Sequence, residues 1–137
     1  MKYLNGFFFY SYVGALVIFG AVGIFTAQFD QKLLFHLNTD DLAAQTSASL
    51  LSQYRFSRAI ELGFGLFAGI FRREIYQQRT FNRLFLATMA LGVVGRTISL
   101  FIDGRPAIGF YVFIVWELLG VLVIFRYSRT TLKPEAR

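Results

Sequence analysis

The sequence predicts an all-α fold, an integral membrane four-helix bundle with both termini in the cytoplasm. Two features of composition support it: 55% of the 137 residues are hydrophobic and only 16% are charged, against roughly 25% charged in a soluble domain. A third is the arrangement of the apolar residues in long runs with short basic clusters between them. The chain is therefore predicted to be a single transmembrane domain over residues 1–137.

Four stretches approach the roughly 20 apolar residues that a spanning helix needs. They are about 6–27, 54–71, 84–102 and 110–127. The first has no charge and the third contains only Arg96. The second and fourth are weaker by hydropathy, because a charge at mid-membrane costs about 3 kcal/mol on insertion scales. The second opens with Arg55, Arg58 and Glu61, and the fourth holds Glu117.

The basic residues predict the direction of the spans. Nine of the 14 Lys and Arg residues fall on one side of the predicted bundle: Lys2, Arg72, Arg73, Arg79, Arg83, Arg126, Arg129, Lys133 and Arg137. The opposite side has Lys32 and Arg105. Because basic residues favour the cytoplasmic side, an even number of spans with this asymmetry places both termini inside. The expected location is the inner (plasma) membrane, with the chain crossing it several times.

The first span could instead be a signal peptide, but its apolar run is longer than the usual 7 to 15 residues.

The longest connection, Gln28 to Gln53, is predicted to lie outside. Four of its apolar residues recur at helical spacing: Phe29, Leu33, Leu34 and Leu37. This spacing favours a helix lying in the membrane interface. The good N-cap residues Thr39, Asp40 and Asp41 predict a second helix that starts outside, from Leu42 onward, and runs into the second span. A short outer turn is predicted at Asp103-Gly104-Arg105-Pro106, before the fourth span.

The embedded charges are predicted to meet. At 1.5 Å per residue, Arg58 and Glu61 lie on the order of 6 to 11 Å below the outer end of their span. Arg96 and Glu117 lie about 9 and 10 Å deep in theirs, so two cations and two anions share one depth. Charges persist in hydrocarbon when they pair or face a cavity.

The candidate ligand-binding residues are Arg58, Glu61, Arg96, Ser99, Asp103 and Glu117. Ser99 and Asp103 belong to the set because they share a helix face with Arg96. One interpretation is that the charges form structural ion pairs that fix helix register. The other is an interior site open to the outside, which holds a lipid headgroup, a small polar ligand or a proton. A buried ion pair is seldom more stabilising than apolar packing, which is the physical weakness of the first interpretation. Both interpretations stay open.

Three segments resemble a known pattern when they are taken together: Gly95-Arg96-Thr97-Ile98-Ser99, Asp103-Gly104-Arg105-Pro106 and Trp116-Glu117-Leu118. They resemble the G-R-x-x-S-x-x-x-D-G-x-P and E-L pattern of small bacterial four-helix membrane proteins of domain-of-unknown-function family 4345. The stretch from Arg58 to Gly69 is also similar, although this chain has Glu61 where a small or apolar residue is commoner. The resemblance implies the fold and the topology. It also implies that Arg96, Asp103 and Glu117 act together.

Three classes of function follow from these observations. The first is a protein that binds a lipid or amphipathic ligand at an outer-leaflet Arg/Glu cluster, and the alternative is a structural or accessory subunit of a larger membrane complex. A proton-coupled transporter that titrates Glu117 or Glu61 is less favoured, because discontinuous helices are not evident. Catalytic signatures, metal-ligand pairs and cofactor motifs are absent from the sequence, and Cys is missing. Whether the chain is an enzyme is left open, and nucleic acid is not an expected partner.

Overall fold

A computed structural model describes residues 1–132 of the chain. All regular secondary structure in the described part is helical. Its elements are α1 (Lys2–Phe25), α2 (Ala27–Phe35), a 3-10 turn (Thr39–Asp41), α3 (Ala44–Ile70), α4 (Arg72–Gln77), α5 (Arg79–Ile102) and α6 (Ile108–Thr131). The predicted all-α class is therefore confirmed for the described residues. Two residues counted above among the inner basic set, Lys133 and Arg137, lie outside them.

Three of the described helices are long and apolar enough to cross a membrane, namely α1, α5 and α6. Among these three, α6 is the most apolar, so the expectation that Glu117 would make the fourth span weak was wrong. The single carboxylate is outweighed by the Phe, Val, Leu and Ile residues around it. By contrast, α3 has 27 residues but carries Arg55, Arg58 and Glu61 and a Ser- and Gln-rich first half. The second span therefore remains a prediction.

The connections differ from expectation mainly at their ends. The predicted helix between the first two spans is present as α2, where Phe29 is 64% and Leu33 58% exposed. Thr39–Asp41 form a 3-10 turn, and α3 begins at Ala44, two residues later than expected. The turn before α6 is confirmed, and Gly104 adopts φ +98° there, which an L side chain rarely tolerates.

Two compact units make up the fold. The first, here called the α5–α6 unit, joins Met1–Tyr12 to the chain from Ala68 onward, and the second, the α3 unit, is Val13–Phe67. The core of the α5–α6 unit contains side chains that are at most 1% exposed: Phe9, Ile75, Phe85, Met89 and Ile124. The rings of Phe9 and Phe85 lie 5.5 Å apart between centroids, so aromatic packing ties the start of α1 to α5.

In the α3 unit, glycines allow α1 and α3 to approach closely. A Cβ atom at Gly20 would lie 2.6 Å from the backbone nitrogen of Leu62 and 2.9 Å from the carbonyl oxygen of Arg58. One at Gly65 would lie 2.9 Å from Cγ2 of Val17. Without a hydrophobic driving force in lipid, helices associate through such close backbone packing. This packing holds the charged part of α3 against α1.

Candidate functional site

Arg96 of α5 and Glu117 of α6 form an ion pair, as the sequence predicts. Arg96 donates from Nε to Oε2 of Glu117 at 3.1 Å and from Nη2 to Oε1 at 3.3 Å. This fork-to-fork geometry is the strongest form of Arg–carboxylate contact. A Cβ atom added at Gly92, one turn before Arg96, would lie 4.0 Å from Oε2 in ordinary van der Waals contact, so the pair does not require glycine there. The two helices are thus joined by two charge-assisted hydrogen bonds.

The two partners of this pair differ in exposure. The Glu117 side chain is 11% exposed, whereas that of Arg96 is 35% exposed. The guanidinium also lies 5.9 Å from the ring centre of Phe113. Among the described residues, Nη1 of Arg96 has no hydrogen-bond partner. The carboxylate is therefore neutralised and enclosed, while one side of the cation is open and has donors to spare.

Ser99 and Asp103 form a separate contact at the end of α5. The Ser99 hydroxyl donates to Oδ2 of Asp103 at 2.7 Å, and both residues are exposed. Asp103 is the C-cap of α5, and its backbone N–H donates to the carbonyl oxygen of Ser99. The predicted residues of the α5–α6 unit thus form two pairs, Arg96 with Glu117 between α5 and α6, and Ser99 with Asp103 at the end of α5.

The α3 unit contains a second ion pair, within one helix. Arg58 donates from Nη1 to Oε2 of Glu61 at 2.7 Å and from Nε to the hydroxyl of Tyr54 at 2.8 Å. Tyr54 in turn donates to Oδ2 of Asp30 in α2 at 2.8 Å. Gly23 makes space for the Arg58 side chain, because a Cβ atom at Gly23 would lie 2.7 Å from Cδ of Arg58.

Two members of this network are not among the candidate ligand-binding residues, namely Tyr54 and Asp30. The spacing of Tyr54, four residues before Arg58, does place it on the same helix face as Arg58 and Glu61. Asp30 lies on a different helix, 24 residues from Tyr54, and no spacing rule connects the two. The network places a phenol between a guanidinium and a second carboxylate. Arg58 is thereby linked to two anions, Glu61 directly and Asp30 through Tyr54.

The six predicted residues thus fall into two groups, one in each compact unit. The α5–α6 unit contains Arg96, Ser99, Asp103 and Glu117, and the α3 unit contains Arg58 and Glu61. Pairing within each group is established. The expectation that both groups line one interior site stays a prediction.

The described residues do not gather three His, Asp or Glu side chains where they could hold a metal ion. A cavity of about 630 Å³ does lie in the α5–α6 unit, but none of the six predicted residues lines it. Basic and aromatic side chains line this cavity.

No curated protein and no solved structure matches this chain significantly. A family of sequences does match, and it covers residues 7–127. The match includes α5 and α6 in nearly their whole length, with Arg96, Asp103 and Glu117, and the part of α3 that carries Arg58. The chain belongs to the domain-of-unknown-function family DUF4345.

Proposed function

We propose that this protein is a multipass protein of the inner membrane that binds a lipid or amphipathic ligand at an outer-leaflet site centred on Arg96 and Glu117. The observation that carries the proposal is the asymmetry of that ion pair. Glu117 is enclosed, while the Arg96 side chain is 35% exposed and keeps an unused donor.

An open guanidinium in a membrane needs a polar partner. Hydrocarbon chains cannot accept a hydrogen bond, and each unsatisfied polar group in the bilayer core costs several kcal/mol. An anionic or strongly polar ligand head would accept from the free N–H groups of Arg96, on the side of the guanidinium that Glu117 does not contact. Val112 is 66% and Ile98 50% exposed, so α5 and α6 present apolar surface for a ligand tail.

The proposed topology has four spans, α1, α3, α5 and α6, with both termini inside. The hydrogen-bond network of the α3 unit supports this role. Arg58 is compensated by Glu61 and by the hydroxyl of Tyr54, and paired charges are those that membrane helices tolerate. The proposed ligand-binding residues also include Arg58, Glu61, Ser99 and Asp103.

Native mass spectrometry of protein extracted gently from its own membrane tests the proposal. The wild type is compared with Glu117→Gln, which keeps the shape of the side chain but removes its charge, and with Arg96→Gln. Arg83→Gln serves as the matched control, since Arg83 is an exposed residue of α5 outside the ion pair. We expect a bound small molecule or specific lipid in the wild type and in the control that is lost in both site variants.

A bare chain in the wild type, or a chain bound only to another protein, would sink the ligand proposal. The second result would instead favour an accessory subunit of a larger membrane complex. Arg58→Gln, measured in the same way, tests whether the charges of α3 contribute to ligand binding. Unchanged ligand retention in that variant would restrict the site to Arg96 and Glu117.

A further inference from the structure

The α5–α6 unit contains a cavity of about 630 Å³ at the end where α1 begins, α4 lies and α6 finishes. Three of its lining side chains are basic, namely Lys2, Arg72 and Arg73, and no described acidic residue lines it. Ligand sites commonly have volumes of about 300 to 1,000 Å³. The cavity thus has the size of a ligand site and a wall of one sign of charge.

The cations of this wall are not neutralised within residues 1–132. The guanidinium of Arg72 lies 4.9 Å from the ring centre of Tyr10, and Arg73 donates from Nε to the neutral Oε1 of Gln77 at 3.2 Å. Neither forms an ion pair among the described residues, whereas Arg58 and Arg96 both do. Unpaired arginines that converge on a cavity are suited to planar, multidentate contact with phosphate.

The neutral groups of the cavity are held in fixed orientations. Asn5, which is 5% exposed, donates from Nδ2 to the hydroxyl of Tyr76 at 2.8 Å, and that hydroxyl donates to Oδ1 of Asn5 at 3.0 Å. Burial raises the pKa of Tyr76 to about 12, so the phenol stays neutral at physiological pH. Tyr76 therefore does not become an anion that would compete with a ligand for the three cations.

We infer that this cavity binds the phosphate group of an anionic ligand, and that the ligand is an anionic phospholipid of the adjacent leaflet. The apolar surface beside the cationic wall favours the lipid over free phosphate. Phe7 lines the cavity and is 62% exposed, and Tyr3, one turn earlier on α1, is 92% exposed. A headgroup phosphate in the cavity would leave its acyl chains along this surface.

The proposed topology places this end of the unit on the cytoplasmic side, where anionic lipids attract basic segments and basic pockets between helices bind headgroups. The cavity shares no residue with the Arg96 and Glu117 pair. Either site can therefore fail experimentally without the other.

Native mass spectrometry of the purified full chain in detergent, titrated with phosphatidylglycerol or with phosphatidylcholine, tests the inference. Arg72→Gln/Arg73→Gln removes two cavity charges, and Arg83→Gln/Arg126→Gln removes two exposed basic residues outside the cavity. We expect selective binding of phosphatidylglycerol by the wild type. The cavity variant should bind it about thirtyfold more weakly, or about 2 kcal/mol at 1.4 kcal/mol per tenfold. The control should stay within about threefold of the wild type, since exposed charges that do not line the cavity are screened by solvent and salt.

A charge-preserving variant, Arg72→Lys/Arg73→Lys, should bind more tightly than the Gln variant, because it keeps the charge although it lacks the planar guanidinium. If the double Gln variant does not fold, the single variant Arg72→Gln replaces it. Competition by inorganic phosphate alone would identify free phosphate as the source of the same chemistry and overturn the lipid assignment. Equal binding of the two lipids by the wild type, or equal losses in the cavity and control variants, would overturn the site.

Discussion

The ion pairs Arg96–Glu117 and Arg58–Glu61 are built in opposite ways. In the α5–α6 unit the acid is the enclosed partner, with Glu117 11% and Arg96 35% exposed, and the pair joins two helices. In the α3 unit the base is enclosed, with Arg58 17% and Glu61 34% exposed, and the pair lies within one helix. The exposure of the partner that remains decides how much stability is lost when the other partner is removed. Glu117 depends on Arg96, while Glu61 reaches the surface and Arg58 has Tyr54 as a further partner.

The largest expected effect is the loss of Arg96. Arg96→Met should destabilise the fold by about 3 to 5 kcal/mol, because it leaves the carboxylate of Glu117 enclosed without its cation. Arg58→Met should cost less than half as much, because Glu61 is more exposed. Thermal unfolding of both variants in the same detergent measures the difference.

A double variant provides the control for this comparison. In Arg96→Met/Glu117→Gln the uncompensated charge is gone, and we expect the unfolding midpoint to recover at least half of the loss. If the double variant is as unstable as Arg96→Met, packing of the Arg96 side chain rather than charge explains the effect. Equal losses from Arg96→Met and Arg58→Met would contradict the contrast between the two units.

An intermediate effect is expected from the close packing of the α3 unit. Gly20→Ala would put a Cβ atom 2.6 Å from the backbone nitrogen of Leu62, and the backbone has to move to admit it. We expect a loss of about 1 to 3 kcal/mol. Gly63→Ala is the matched control, since nothing lies within 4 Å of the added atom. That substitution should be neutral or stabilising, because Ala favours a helix over Gly by about 1 kcal/mol.

These two alanine variants compare helix packing with helix propensity in the same unit. Unfolding in a denaturing detergent titration gives both values. A Gly20→Ala protein as stable as Gly63→Ala would show that α1 and α3 do not approach as closely as described, and it would remove the support that holds Arg58 in place.

The smallest expected effect is the loss of one hydroxyl. Tyr54→Phe removes the link between Arg58 and Asp30 but keeps the ring over which Arg58 lies, 4.7 Å from the ring centre. We expect a loss of about 1 kcal/mol, the typical net contribution of a single intramolecular hydrogen bond to stability. Combining Tyr54→Phe with Arg58→Met completes a double-mutant cycle. Additive losses would mean that the hydroxyl does not support Arg58.

Sequence reasoning recovered the parts of this protein that follow from local pattern. The helical class, the turn at Gly104 and the pairing of Arg96 with Glu117 could be predicted, because apolar periodicity, turn chemistry and charge balance leave few alternatives. The start of α3 was misplaced by two residues, since Thr39, Asp40 and Asp41 suit a 3-10 turn as well as an N-cap. The apolar character of α6 was underestimated, because one carboxylate was given too much weight against its neighbours.

Other features depended on contacts that no local pattern encodes. Asp30 meets Tyr54 only because α2 folds back from α1, and the cationic cavity forms only where the start of α1 meets α4 and the end of α6. The composition and the order of the residues determined that the chain is helical and suited to a membrane, because these properties depend on near neighbours and on solvent. Only the tertiary structure decided which partner of each ion pair is enclosed and which arginines stay unpaired, because burial and partner choice are set by residues far apart in the chain.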